Sequence, residues 1–407
     1  MILEKYSFGV GDRFGREGNA QLRAIQEINR MGFPVVPVWN KSNREHELVG
    51  STQEAVRQEA DAAVKTNGWK ESFYVDADHI TLNNVDNFLE YSDFFTIDVA
   101  QFIGRPPEAK LKTDFLRRTS THGIHGFGEA VSTFDLNRFS DMYLTAINEV
   151  KRLYDYISMK KKDDFILEIS MDEVSRAQGP LDLYFILREL KFLDVTPHTI
   201  APKFTGLFPK GVDYEGDLGL FAEEFEQDLR ILKLAEEQLG FGHEIKLSVH
   251  SGSDKFSIYP IIRDLLKKHQ AGIHIKTAGT TWLEEVIGLA RGGGGGLRIA
   301  REIYHQGIKR YDEMAAPYLS VLHIDPEKLP PAKEVLTWSS AHFANTLIHE
   351  QSCRDYNPHF RQLIHISYKA AAEMGSEFTG ALDHYREAIE EQVYTNLYDR
   401  HLKRLFW

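Results

Sequence analysis

Cysteine is almost absent. Cys353 is the single thiol among 407 residues, so no disulfide can form within one chain, and a reducing compartment is the natural reading. Long hydrophobic runs are missing too: no apolar stretch approaches the roughly 20 residues that a membrane helix needs. The opening MILEKYSFGVGD has neither a basic n-region nor a long apolar h-region, which argues against a secretory signal. Positive charge is in deficit. The net charge is −12, and phosphate backbones are bound by basic surfaces, so nucleic acid is a poor partner. HExxH and CxxC spacings do not occur. The expectation is a soluble, cytoplasmic protein; homo-oligomerisation is left open.

What is present is 42% apolar content, ample for a large core. Short runs rich in Val, Ile, Phe and Tyr read as strands at 6–10, 34–39, 72–77, 94–100, 165–170, 197–202, 245–250 and 272–277. Helical patterns lie between them. STQEAVRQEADAAVKTNG opens with a capping box from Ser51 to Glu54 and closes on Gly68. NRFSDMYLTAINEVKRLYDYI places Met142, Ile147, Val150, Leu153 and Ile157 on one face. Eight strands, each followed by a helix, is the count of a closed (β/α)8 TIM barrel; an open doubly wound sheet is the alternative. The fourth connection, roughly 101–163, is long enough to hold an inserted helix. After Thr277 the chain turns helical. We assign 1–290 to the barrel and 291–407 to a helical extension packed on it. The GGGGG run at 292–296 reads as a helix-to-helix join rather than a phosphate cradle.

Barrel enzymes place their chemistry at the C-terminal ends of strands. Those ends deliver Asp12 and Arg13, Asn40 and Lys41, Asp76, Asp78 and His79, Asp98 and Gln101, Glu168 and Asp172, His198 and Lys203, His250 with Ser251 to Ser253, and Lys276 with Thr277. His79, Glu168, His198 and His250 form a mixed N/O set suited to a divalent ion such as Zn²⁺ or Mn²⁺, and Ni²⁺ and Co²⁺ are admitted as well. Glu168 is read as a ligand or as an acid/base group. Asp78 stands beside a proposed ligand and can shuttle a proton, with Asp76 competing for that role. His243 and His365 lie on or beside helices and read as ordinary. Ser251 and Ser253, in a Ser-Gly-Ser turn, with Lys276 and Thr277 from the neighbouring strand, form a candidate anion site. Lys203, Asp12 and Arg13 are further candidates for substrate binding. GVGDRFG at 9–15 is GxGxxxG, not GxGxxG, and the next strand ends in Asn40 where a ribose-binding acid belongs, so NAD is not expected.

The order Asp-His after the third strand, Glu after the fifth, His after the sixth and His-Ser-Gly-Ser after the seventh resembles the class II, metal-dependent ketose-bisphosphate aldolases. That resemblance implies metal binding by His79, His198 and His250 and an acid/base role for Asp78. The stretches SFGVGDRFG, YVDADHITL, SVHSGSDKFSIYP, IKTAGTTWLEEVIGLA and YNPHFRQLIHISYKAAAEMG resemble more closely the tagaturonate epimerases, which interconvert tagaturonate and fructuronate. The eighth-strand motif departs from the aldolase Asn-x-Asp-Thr pattern, having Lys276, Thr277 and Gly279, which favours a carboxylate-bearing substrate over a phosphate. The resemblance implies a metal-dependent ketouronate epimerase. The rivals are an aldolase on the same fold and a non-catalytic metalloprotein that binds a sugar acid.

Overall fold

The eight apolar runs become eight parallel strands that close on themselves. In the computed structural model, which describes residues 1–119, 131–162, 164–172, 174, 176–277 and 279–407, these are β1 (Tyr6–Gly11), β2 (Val35–Ser42), β3 (Tyr74–Ile80), β4 (Phe94–Asp98), β5 (Ile166–Ser170), β6 (Thr199–Ala201), β7 (Lys246–His250) and β8 (Ile273–Lys276). Each pairs with the next in sequence, and β1 closes on β8 through Tyr6↔Ile273. The chain is a (β/α)8 barrel, and the open-sheet alternative falls.

Side chains alternate across each strand, so every second residue points inward. The inward residues near the strand starts are apolar: Val36, Val38, Tyr74, Phe94 and Ile166 form a small cluster of their own with Leu3. Two residues further along, the same inward face turns polar, with buried Asp76, Thr96, Glu168 and Lys276. The outward faces join the surrounding helices in a second, larger core that includes Phe8, Trp39, Phe95, Leu167 and Leu247.

The fourth connection carries two helices, Ala109–Thr119 and Thr133–Lys161; residues 120–130, within that predicted insertion, lie outside the described ones. On the longer helix Ile147, Val150, Leu153 and Ile157 are buried. Thr52, not Ser51, caps the helix Gln53–Asn67, because the Ser51 hydroxyl is bound to His46 Nδ1 at 2.9 Å. The expected stop at Gly68 is present, in the left-handed conformation with φ 62°.

Beyond β8 a third cluster forms around Trp282, Val286, Ile303, Phe343, Phe360 and Phe378. Its first two helices, Thr280–Gly292 and Gly294–Lys309, meet at the glycine run. There a Cβ on Gly292 would stand 2.3 Å from the Tyr385 ring, so the glycines let that ring close on the joint. The chain then returns to the barrel, where Phe406 packs on Tyr6 with ring centroids 5.1 Å apart. Among the described residues, no helix is long and apolar enough to cross a membrane.

Candidate active site

β3 brings Asp76 and Asp78 to the inward face, two residues apart. Strict alternation would turn His79 outward. A register irregularity between Ala77 and Ile80 and a left-handed backbone at His79, φ 54°, prevent that. Such a conformation is uncommon without glycine, and bulges of this kind re-aim a side chain next to functional sites. Its result here is a His79 ring only 5.2 Å from that of His250.

One ligand atom each from His79, Asp172 and His250 lie within 4.8 Å of one another. His250 Nδ1 stands 3.3 Å from Asp172 Oδ1 and His79 Nε2 stands 3.8 Å from the same oxygen. Both nitrogens are buried and, among the described residues, neither makes an aligned hydrogen bond. The other nitrogen of each ring is held: His79 Nδ1 lies 2.7 Å from Asp78 Oδ1 and His250 Nε2 lies 2.8 Å from Glu168 Oε1. A carboxylate that fixes one ring N–H leaves the opposite nitrogen with its lone pair free to bind a metal. Two orphaned imidazole nitrogens and one carboxylate converging on one point fit a divalent cation in an open, three-ligand site.

The electrostatics carry the same message. Lys276 Nζ meets Asp76, Asp78 and Glu168 at 2.7, 2.8 and 3.1 Å. With the half-buried Asp172, that sets four carboxyl groups against one ammonium. Burial pushes the Asp76 carboxyl up. Burial also works to raise Asp78 and Glu168, but Lys276 with the neighbouring imidazoles holds both down. Burial opposes charge on His250, yet Asp172 and Glu168 raise it to about 9. The centre is short of positive charge, and a bound cation would meet that shortage in place of protons on the rings.

His79 and His250 therefore come together as the sequence predicts. His198 does not. It precedes β6, at the opposite end of the barrel, where its Nδ1 accepts the Leu167 N–H at 3.0 Å and its Nε2 lies 3.2 Å from Met1 O. Asp172 occupies the place expected for it. Glu168 sits one layer below the cavity, holding His250 and Lys276 and accepting the Thr199 hydroxyl at 2.7 Å. Asp12 is turned to its own loop: its carboxylate accepts the backbone N–H groups of Phe14, Gly15, Arg16 and Glu17. Arg13 lines the cavity but is already paired with Glu45 at 3.0 Å and stacked on Tyr368. The three expected hydroxyls are committed. Ser251 donates to Lys276 O at 2.7 Å, Thr277 donates to Gly9 O at 3.0 Å, and Ser253 accepts the Gly211 N–H at 3.0 Å. They brace the ends of β7, β8 and β1. Lys203 lines an adjoining cavity, which shares Arg44, Asp172, Lys210, His250 and Tyr318 with the central one.

That central cavity, of about 360 Å³, is of a size for a six-carbon ligand. Asp78, His79, Asp172, His250 and Lys276 form its floor, and Arg44, Lys210, Tyr318 and His365 line the rest. His365 is not the ordinary helical histidine expected. It is buried, its Nδ1 has no partner among the described residues, and burial together with Arg13 and Lys210 keeps its ring neutral, well below the usual imidazole range. Asp172 was legible: it shares the inward parity of Glu168 and Ser170. Arg44 stands in the first turn of the helix Asn43–Val49, Lys210 in a loop, and Tyr318 and His365 in the extension, and no local pattern marks them.

The family model for UxaE, tagaturonate epimerase, matches residues 1–405. The tagaturonate/fructuronate epimerase of Thermotoga maritima is 30% identical over 423 residues, covering 98% of this chain and 79% of that protein. Crystal structures of the fructuronate-tagaturonate epimerase UxaE from Cohnella laeviribosi share the fold. The form with one glycerol superposes with a TM-score of 0.82 and the native form with 0.79. Both are 24% identical to this chain, and the matches cover 100% of it and 82% of theirs.

Proposed function

The chain belongs to the tagaturonate epimerase family and is an isomerase acting on carbohydrates, and from that premise we propose that it interconverts D-tagaturonate and D-fructuronate by a metal-assisted retro-aldol and aldol sequence. The two ketouronates differ at the carbinol carbon β to the ketone. Its C–H is not acidic, because the anion would not conjugate with the carbonyl. Inversion without a redox cofactor therefore goes through the bond between the α- and β-carbons. Its electron pair passes to the α-carbon, giving an enediolate, while the β-carbon becomes an aldehyde and its hydroxyl proton leaves. The aldehyde turns, the α-carbon attacks its other face, and the oxygen regains the proton.

His79, Asp172 and His250 would hold the divalent ion, which supplies Lewis acidity at the ketone oxygen. The chain's own part is the proton. Asp78 lines the cavity and Asp76 lies behind it, both on Lys276 Nζ. Asp78 takes the hydroxyl proton, and the ammonium passes one on to Asp76, whose carboxyl burial has made ready to accept it. Glu168 keeps the His250 ring oriented. The observation that carries the reading is the pair of orphaned imidazole nitrogens facing Asp172, with Asp78 beside them in the same cavity.

The test is to incubate the purified protein with fructuronate, with and without a chelator, and follow the mixture by NMR. Tagaturonate should form and the chelator should stop it. Full activity after complete metal removal would sink the metal assistance. Accumulation of a free three-carbon aldehyde acid would identify an aldolase instead.

A further inference from the structure

Four cationic side chains of arginine and lysine line the central cavity: Arg13, Arg44, Lys210 and Lys276. Two are spent inside the protein. Arg13 is paired with Glu45, and Lys276 carries three carboxylates. Among the described residues, neither Arg44 nor Lys210 has a carboxylate partner. Both instead lie on the ring of Tyr318, at 5.0 and 6.0 Å from its centroid. They come from different parts of the barrel, Arg44 from the segment after β2 and Lys210 from the segment after β6. Tyr318 belongs to the extension, and its hydroxyl is fixed 3.1 Å from that of Tyr368. Both cations also line the adjoining cavity, so they stand where the two spaces meet. Lys210 Nζ is close to the metal-binding end: a Cβ on Gly252, two residues beyond His250, would lie 3.6 Å from it.

The charge is thus divided. The floor around His79 and His250 is crowded with carboxyl groups, and the Tyr318 side presents two unneutralised cations. An anionic group is repelled by the first and drawn to the second. We infer that Arg44 and Lys210, seated on Tyr318, bind the carboxylate of a ketouronate and set which way round it lies, with the ketone at the His79–Asp172–His250 end. The inference rests on the ketouronate reading and deepens it. In the cleaved state the carboxylate belongs to the aldehyde fragment, so this grip holds that fragment at its far end while its carbonyl carbon turns. The same contact makes a free acid terminus, rather than a hydroxymethyl group, the preferred end of the substrate.

The experiment compares wild type with Arg44→Met, Lys210→Met and the conservative Lys210→Arg. Each removed charge-assisted contact should raise the KM for fructuronate about 10–100-fold while kcat changes by less than about threefold. Lys210→Arg should keep most of the affinity. The Mn²⁺ affinity of all three, measured by calorimetry, should match the wild type, because none of them touches the metal-binding residues. A KM within about twofold of wild type in both Met variants would overturn the assignment, and so would a fall in Mn²⁺ affinity that tracks the loss of activity. The outcomes separate cleanly. An inert wild type ends the ketouronate reading, whereas an active wild type with unaltered Met variants ends only the grip.

Discussion

Arg361→Met probes the clamp between the extension and the loop that follows His250. Arg361 is fully buried. Its Nη2 meets Asp254 Oδ2 at 2.7 Å, its Nη1 donates to Leu347 O at 2.7 Å, and its Nε donates to Gly211 O at 2.5 Å. Asp254 is four residues beyond His250, and Gly211 adjoins Lys210. Asp254 has three further partners, His349 and His401 at 3.1 and 2.9 Å and the Thr280 hydroxyl at 3.4 Å. Methionine matches the length of the arginine stem but leaves a buried carboxylate without its cation. Breaking such a pair from one side costs about 3–5 kcal/mol. An unfolding entropy of about 2.1 cal/mol/K per residue, over 407 residues, makes 1 kcal/mol worth about 1.2 °C, so the midpoint should fall by about 4–6 °C. Calorimetric melting of the metal-free protein measures this without interference from ligand linkage. The double variant Arg361→Met/Asp254→Asn should recover part of the loss, since the stranded charge is gone. A single variant melting within about 1 °C of wild type, or a double variant no better than the single, would refute the reasoning.

Two further outcomes follow. Asp172→Asn should abolish Mn²⁺ binding in a calorimetric titration, and Glu168→Gln, which loosens only the hold on His250, should weaken it about 10–100-fold; His198→Gln should bind the ion as wild type does, and if it fails to, the placement of that ring is wrong. Stability should fall as pH drops from about 6.5 towards 4. Burial lowers His46 and His198 to about 4 and His274 to about 3. Each ring stays neutral in the folded chain while the unfolded chain takes up its proton, so each adds a slope of up to about 1.4 kcal/mol per pH unit in that window. Chemical denaturation at several pH values measures the slope, and His46→Gln should flatten it; an unchanged slope would count against a neutral His46.

The barrel was legible because its signal is repetitive: eight apolar runs, each punctuated by a turn and followed by a helical pattern. Strand limits were less so, and that cost His198. In VTPHTIAP two prolines frame a strand of only three residues, Thr199–Ala201, and nothing local says that the histidine stands at its start rather than its end. His79 and His250 could be read because they close apolar runs. The fate of the hydroxyls could not. Ser251, Ser253 and Thr277 have the right chemistry for a ligand, but whether a hydroxyl faces substrate or a neighbouring carbonyl depends on strands distant in sequence. The same holds for Arg44 and Lys210, whose value lies in having no carboxylate partner among the described residues, a property of the whole assembly. His365 reaches the cavity only because the extension docks where it does.

The clamp on Asp254 also has a consequence in time. Arg361 follows Asp254 by 107 residues and His401 follows it by 147. At about 5–20 residues per second, a ribosome takes about 7–30 s to deliver the last of these partners after the aspartate has been made. Until Arg361 has been made, the newborn loop beyond His250 carries a carboxylate without the cation that pairs with it in the folded chain. The catalytic pocket is therefore finished last, by segments translated last, and a nascent barrel acquires its working shape only when the helices that follow it fold back.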